Sequence, residues 1–174
     1  MKLNYDIFET ELGWMGVIGS ARGLRRTTLP QADPAICAEQ LGPELEPAIQ
    51  STSAFAELRS RVERQFAGDP TTFADLDIDV DDARPFFRAA WAACRTIPSG
   101  STRTYQWLAA AAGSPAAARA AGQAMARNRL PIVVPCHRVV ASDGTLGGFG
   151  RGKTRLDLKG QLLDIEANAA ACSS

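Results

Sequence analysis

The change of pattern at Ile97-Pro98-Ser99-Gly100 most constrains the fold, because it separates a strand-rich first half from a helix-rich second half. Ahead of it, Leu3 to Phe8 alternates roughly between apolar and polar residues, and Gly13 marks a turn. Trp14 to Ile18 is apolar, and Arg22-Gly23 turns the chain again before Leu24 to Leu29. Period-two stretches bounded by turn residues read as short strands. The segment from Pro30 to Pro47 reads as irregular. Ser53 is placed to cap a helix with Phe55, Leu58, Val62 and Phe66 on one face, ended by Gly68. An acidic strand or loop from Asp75 to Asp82 leads to a helix from Pro85 to Arg95 that buries Phe87, Trp91 and Cys94. The expectation is an α+β fold. A small N-terminal mixed α/β domain, structural in role, spans residues 1–82, and a mainly helical C-terminal domain spans 83–174.

Beyond the break, Thr104 can cap a helix from Tyr105 to Ala112 that Gly113 ends. Ser114-Pro115 then supplies an N-cap and first-turn proline for a second helix, Pro115 to Met125. Two short helices joined so tightly outline a helix-turn-helix over about 104–126, although a plain helical hairpin has the same outline. The second helix is mostly alanine, with Arg119 as its one long cation. A major-groove reader projects several polar side chains at base edges, and this helix has almost none, so DNA binding here should be weakly sequence-selective. After Asn128-Arg129-Leu130 comes the stretch Pro131-Ile132-Val133-Val134-Pro135, expected to be extended. Val139-Val140 and Leu146 to Phe149 flank a turn at Ser142-Asp143-Gly144 and read as a hairpin. A glycine-rich loop precedes a last helix, roughly Leu156 to Ala167, whose Leu158, Leu162, Leu163 and Ile165 dock it.

Charge follows the same division. Residues 1–94 hold 9 Lys/Arg and 15 Asp/Glu, a net of −6, and residues 95–174 hold 10 and 4, a net of +6. The second half suits phosphate. No apolar run approaches the roughly 20 residues of a membrane helix, and Met1 to Asp6 lacks a signal peptide's apolar core. The expected location is cytoplasmic, or nuclear in a eukaryotic host.

Four cysteines, Cys37, Cys94, Cys136 and Cys172, are scattered, with no CxxC pair. That usage suits a reducing compartment, and with one histidine and no cysteine cluster a structural zinc site is not expected. The single histidine is His137, beside Cys136. A free thiol is only a few per cent ionised at neutral pH, so a nucleophilic cysteine needs activation. Adjacent side chains do not face each other in regular structure, so a Cys136–His137 relay needs a bent backbone or a bridging water. Pro135 permits a helical turn to begin at Cys136, whose thiol would gain from the turn's free amides. Glu166, on the last helix, is the best carboxylate to orient His137. The pair alone also fits a buried histidine beside a buried cysteine, or a cysteine hydrolase.

Ile132-Val133-Val134-Pro135-Cys136-His137-Arg138-Val139-Val140 resembles the active-site signature of the O6-alkylguanine-DNA alkyltransferases. The resemblance runs from about Phe86 to Glu166, roughly half the chain. It includes Ile97-Pro98-x-Gly100-x-Thr102-x-Thr104-Tyr105, Ala117-Ala118-Arg119-Ala120 and Arg127-Asn128. It implies repair of O6-alkylguanine, and of O4-alkylthymine, by irreversible transfer of the alkyl group to Cys136 within the motif 135–139, once per molecule and without cofactor or metal. His137 and Glu166 would form the water-linked relay, Asn128 would brace the active-site turn, and Tyr105 would help rotate the nucleotide and donate a proton to guanine. Arg119 would fill the gap in the base stack, with Thr104, Tyr105, Ala117, Ala118 and Arg127 on the DNA. Tyr105, Met125, Val139, Phe149 and Gly150 would line the pocket. The implied partner is double-stranded DNA, bound through the minor groove with little sequence specificity by a monomer, and no membrane. A non-catalytic lesion-binding relative would lack the cysteine. The chain departs from the pattern at Ser99, in place of an aromatic residue, and at Gly150, where many relatives carry a serine that contacts guanine. Lys153-Thr154-Arg155 reads as a short insertion.

Overall fold

A computed structural model describes residues 1–150 and 152–173. The chain forms two compact units. One is Met1–Val80 together with Arg129–Ile132, and the other is Asp81–Asn128 together with the chain from Val133 onward. The sequence division at residue 82 contains no such return segment.

In the first unit, β1 (Leu3–Thr10), β2 (Gly13–Ser20) and β3 (Gly23–Thr27) form an antiparallel meander. Next come helix α1 (Pro34–Leu41), the short strand β4 (Ile49–Gln50) and helix α2 (Ala56–Phe66), giving the sheet order β3-β2-β1-β4 with β4 parallel to β1. Alternation in β1 is only partial because both faces are covered. Leu3, Tyr5 and Ile7 pack with Ile18 and Leu41 on the α1 side. Phe8 points the other way, under the Arg59 guanidinium of α2. Gly16 lets α1 approach, since a Cβ there would sit 3.1 Å from Leu41 Cδ1.

Helix α1 corrects the expectation of irregular chain from Pro30 to Pro47. Asp33 caps it by accepting a hydrogen bond from Ala35 N at 2.7 Å, and Pro34 occupies the first turn, a start signal present in the sequence. The acidic stretch 75–82 forms no named strand; only Ile78 bridges to Leu24. The stretch 131–135 is not extended either. Thr27 donates its N–H to Arg129 O at 2.9 Å and its hydroxyl to Pro131 O at 2.8 Å, and Ile132 turns at φ 76°, a conformation uncommon for a β-branched residue.

The second unit contains α3 (Pro85–Cys94), β5 (Arg103–Thr104), α4 (Tyr105–Ala111), α5 (Ala118–Ala126), β6 (Val139–Val140) and α6 (Leu156–Cys172). Trp91 is 1% exposed and donates its indole N–H to Ala124 O at 2.9 Å, which fixes α5 against α3. Thr104 caps α4 by accepting from Trp107 N. The helix ends in a Schellman arrangement, with Gly113 N bonded to Ala110 O and Ser114 N to Ala109 O. Helix α5 starts later than expected. Ala117 N bonds back to Ser114 O in a turn, and Ala117 caps the helix with no side-chain hydrogen bond. Buried Ala121 and Ala124 let its neighbours approach closely. The expected hairpin around 142–144 is also corrected. The turn is present, with Ala141 N bonded to Thr145 O, but β6 pairs in parallel with β5. No helix among the described residues is long and apolar enough to cross a membrane.

Candidate functional site

Cys136 lies in the second unit, where the chain leaves Pro135 and makes a single 3-10 turn, Cys136–Arg138. Its N–H bonds to Val134 O at 2.7 Å, and its side chain is buried at 7% exposure. Asn128 donates Nδ2–H to Val134 O at 2.9 Å, and its amide also hydrogen-bonds the thiol. The backbone amides of Cys136 and His137 hydrogen-bond the thiol and lower it, so the help from the turn's free amides is present, although a three-residue turn has almost no dipole to add. Burial pushes the thiol up, and the hydrogen bond from Asn128 and the charge of Lys159 oppose it. Ionisation therefore needs a proton acceptor at hand.

His137 is the next residue in the chain. It is 1% exposed and its Nε2 lies 2.7 Å from Glu166 Oε1. Burial would raise the Glu166 carboxyl, but the hydrogen bonds from His137 and Arg138 outweigh it and hold the carboxyl at about 2. Against an ionised carboxylate Nε2 carries the hydrogen, so Nδ1 is the basic nitrogen. Nδ1 is buried without a hydrogen-bond partner among the described residues. Burial also lowers the imidazole, with Glu166 opposing, so the ring is neutral at rest.

The folded Glu166 value lies below its ordinary 4.5, so the stability it contributes is present above about 4.5 and lost as pH falls toward about 2. Denaturant midpoints are expected to fall more steeply over that window in the wild type than in Glu166→Gln. Parallel pH profiles would contradict the assignment.

The other wall is built around Lys159, which the sequence reading passed over. Lys159 is fully buried, and its ammonium donates to the carbonyls of Val139 at 2.6 Å, Leu146 at 2.5 Å and Gly148 at 3.1 Å. The same Nζ lies 5.9 Å from the ring centroids of Tyr105 and Phe149. Burial lowers it to about 8, with Cys136 and Cys94 pulling the other way. Its sequence signal is position: it shares the apolar face of α6 with Leu158, Leu162 and Glu166. Tyr105, at the head of α4, is raised by burial, with a hydrogen bond from the Gly148 backbone opposing, so its hydroxyl stays protonated. Val139, Met125 and Phe149 are buried.

Two glycines fit this wall closely. At Gly147, φ 76°, an added Cβ would stand 2.8 Å from the Tyr105 hydroxyl. Gly147→Ala is expected to displace that hydroxyl and slow by about 10²-fold any reaction in this pocket that uses it, the cost of an ångström-scale misplacement. Single-turnover kinetics check this, and an unchanged rate would contradict it. At Gly150, φ 70°, an added Cβ would meet Arg155 Cγ at 2.8 Å and Thr154 Oγ1 at 3.1 Å. The side chains of Thr154 and Arg155 thus fill the space that a larger residue at 150 would use.

On the helix-turn-helix, Arg119 and Arg127 are exposed, while Ala117, Ala118 and Thr104 are partly exposed. Arg127 lies over the Phe87 ring at 5.9 Å. The second unit thus brings Cys136, His137, Glu166, Asn128 and Tyr105 into one unit of the chain, and adds Lys159 and Arg138.

A family model described as the DNA-binding domain of 6-O-methylguanine DNA methyltransferase matches residues 85–168. A methylated-DNA–protein-cysteine methyltransferase of Methanosarcina barkeri is 36% identical, covering 94% of this chain and 97% of the relative. The constitutive one of Bacillus subtilis is 37% identical, covering 93% and 94%. The chain is similar in structure to Mycobacterium tuberculosis OGT solved in complex with DNA. The TM-score is 0.77 at 31% identity, covering 95% of this chain and 94% of that one.

Proposed function

The chain belongs to the methylated-DNA–protein-cysteine methyltransferase family, and we propose that Cys136 is its alkyl acceptor, taking the group from O6-alkylguanine in duplex DNA once per molecule. The observation that carries this is the buried Cys136–His137–Glu166 arrangement, in which Nδ1 of His137 is the one relay nitrogen able to take up the thiol's proton.

The alkylated oxygen lies within the base stack, so the nucleotide has to leave the duplex before a buried thiol can reach it. Arg119 on α5 fills the space left behind, and the small side chains around it let the helix lie in the minor groove. Thr104, Ala117, Ala118 and Arg127 border that surface. The pocket is walled by Tyr105, Met125, Val139, Phe149 and Gly150, with O4-alkylthymine as a second substrate.

A bridging water passes the thiol proton to His137 Nδ1. The sulfur then bonds to the alkyl carbon as the carbon–O6 bond breaks, leaving its electron pair on the purine. Tyr105 donates a proton to the departing guanine, and the proton held by His137 returns through solvent to balance it. The product is a thioether, which water does not cleave, so no second turnover follows. Residues 1–82 serve a structural role, the working protein is a cytoplasmic monomer, and neither metal nor cofactor takes part.

DNA carrying a labelled O6-methyl group tests this by where the label goes. Recovery of the label on protein, up to one per chain, is expected. Label released to solution with repeated turnover would instead mark a hydrolase.

A further inference from the structure

The Glu166 carboxylate is shared between His137 and Arg138. His137 uses one oxygen, whereas Arg138 uses both: its Nε donates to Oε1 at 3.2 Å and Oε2 at 3.0 Å, and its Nη2 donates to Oε1 at 2.8 Å. Nη1 donates to Ile97 O at 2.7 Å, anchoring the guanidinium to the segment after α3. Arg138 is 6% exposed, so this pair is not a solvated surface contact. Gly100 N also points at Oε2, at 3.5 Å.

We propose that Arg138 is a positioning residue of the acceptor site, which holds Glu166 as an ionised carboxylate and leaves His137 neutral and ready for the thiol's proton. The catalytic consequence rests on the reading of Cys136 as acceptor, whereas the effect on His137 does not. A carboxylate buried beside a lone histidine would draw a proton into the pair, because a buried negative charge without a partner is costly. A fixed guanidinium removes that pull. Without it the proton settles on the His137–Glu166 pair before the thiol can release its own, and Nδ1 is blocked. Burial, opposed by Glu166 and aided by Arg138 and Lys159, agrees in direction by lowering the imidazole. The charged groups acting on the pair are Arg138 and, on α6, Lys159; Cys136 adjoins His137 in the chain, and Cys94 of α3 and Tyr105 of α4 act on its thiol.

His137 is the only histidine, so isotope-labelled histidine gives one imidazole signal to follow by NMR without DNA. The wild-type ring is expected to titrate below its ordinary 6.5. In Arg138→Gln the midpoint should move up, and the acid limb of the transfer-rate profile should move up with it. Arg138→Lys keeps a cation that cannot bridge both oxygens and should fall between. An unchanged midpoint in folded Arg138→Gln would overturn the proposal. Should that variant fail to fold, an unchanged midpoint in Arg138→Lys would do the same. A shifted midpoint with no alkyl transfer in any variant would uphold Arg138 and count against the acceptor reading instead.

Discussion

Cys136→Ser is expected to abolish alkyl transfer while leaving the fold and duplex binding intact. Serine nearly matches the thiol in size and keeps a hydrogen-bonding partner for Asn128. The surrounding packing should therefore persist. A hydroxyl is far less acidic than a thiol and a weaker nucleophile, and a neutral buried imidazole cannot make up that difference. The loss should exceed about 10³-fold, more than the cost of an ångström-scale misplacement. Measuring transfer alongside duplex affinity checks both halves. Label appearing on Cys94 or Lys159 of the variant would show that the pocket, not this thiol, selects the acceptor.

Arg119→Ala is expected to separate two substrates. Extruding a nucleotide costs a few kcal/mol, and a side chain in the vacated space offsets part of that. Arg119 is exposed on α5 and makes no contribution to the buried side of that helix. Truncating it should slow transfer from duplex DNA by about 10- to 100-fold, equivalent to about 1.4–2.8 kcal/mol, with transfer from a free O6-alkylguanine base unchanged. Equal slowing on both substrates would place Arg119 in the pocket chemistry instead.

Much of this was legible in the residues because the signals are local. Gly13 and Arg22-Gly23 mark the turns of the meander, and Thr104 and Gly113 bound α4, whereas the Cys136-His137 pair alone leaves several chemistries open. Local signals also misled. Asp33-Pro34 is a helix start that the surrounding prolines hid, and Ser114-Pro115 forms a turn of its own one step before α5. Pro131 to Pro135 looks like a strand by composition, yet hydrogen bonds from Thr27, more than a hundred residues away, turn it. Long-range satisfaction of buried polar groups accounts for the residues that were overlooked. Lys159 is held by backbone carbonyls, and Arg138 by the Ile97 carbonyl and the distant Glu166 carboxylate, partners that no spacing rule reveals. Glu166 is the reverse case: its place on α6 made it the candidate, and it lies 2.7 Å from His137 Nε2.

The most direct measurement is the intact and peptide mass of the protein after incubation with excess duplex carrying O6-methylguanine. One methyl on the peptide containing Cys136, with no further gain as substrate is added, is the predicted result. A chain that repairs many lesions and keeps its original mass, or one that carries the methyl elsewhere, would contradict it.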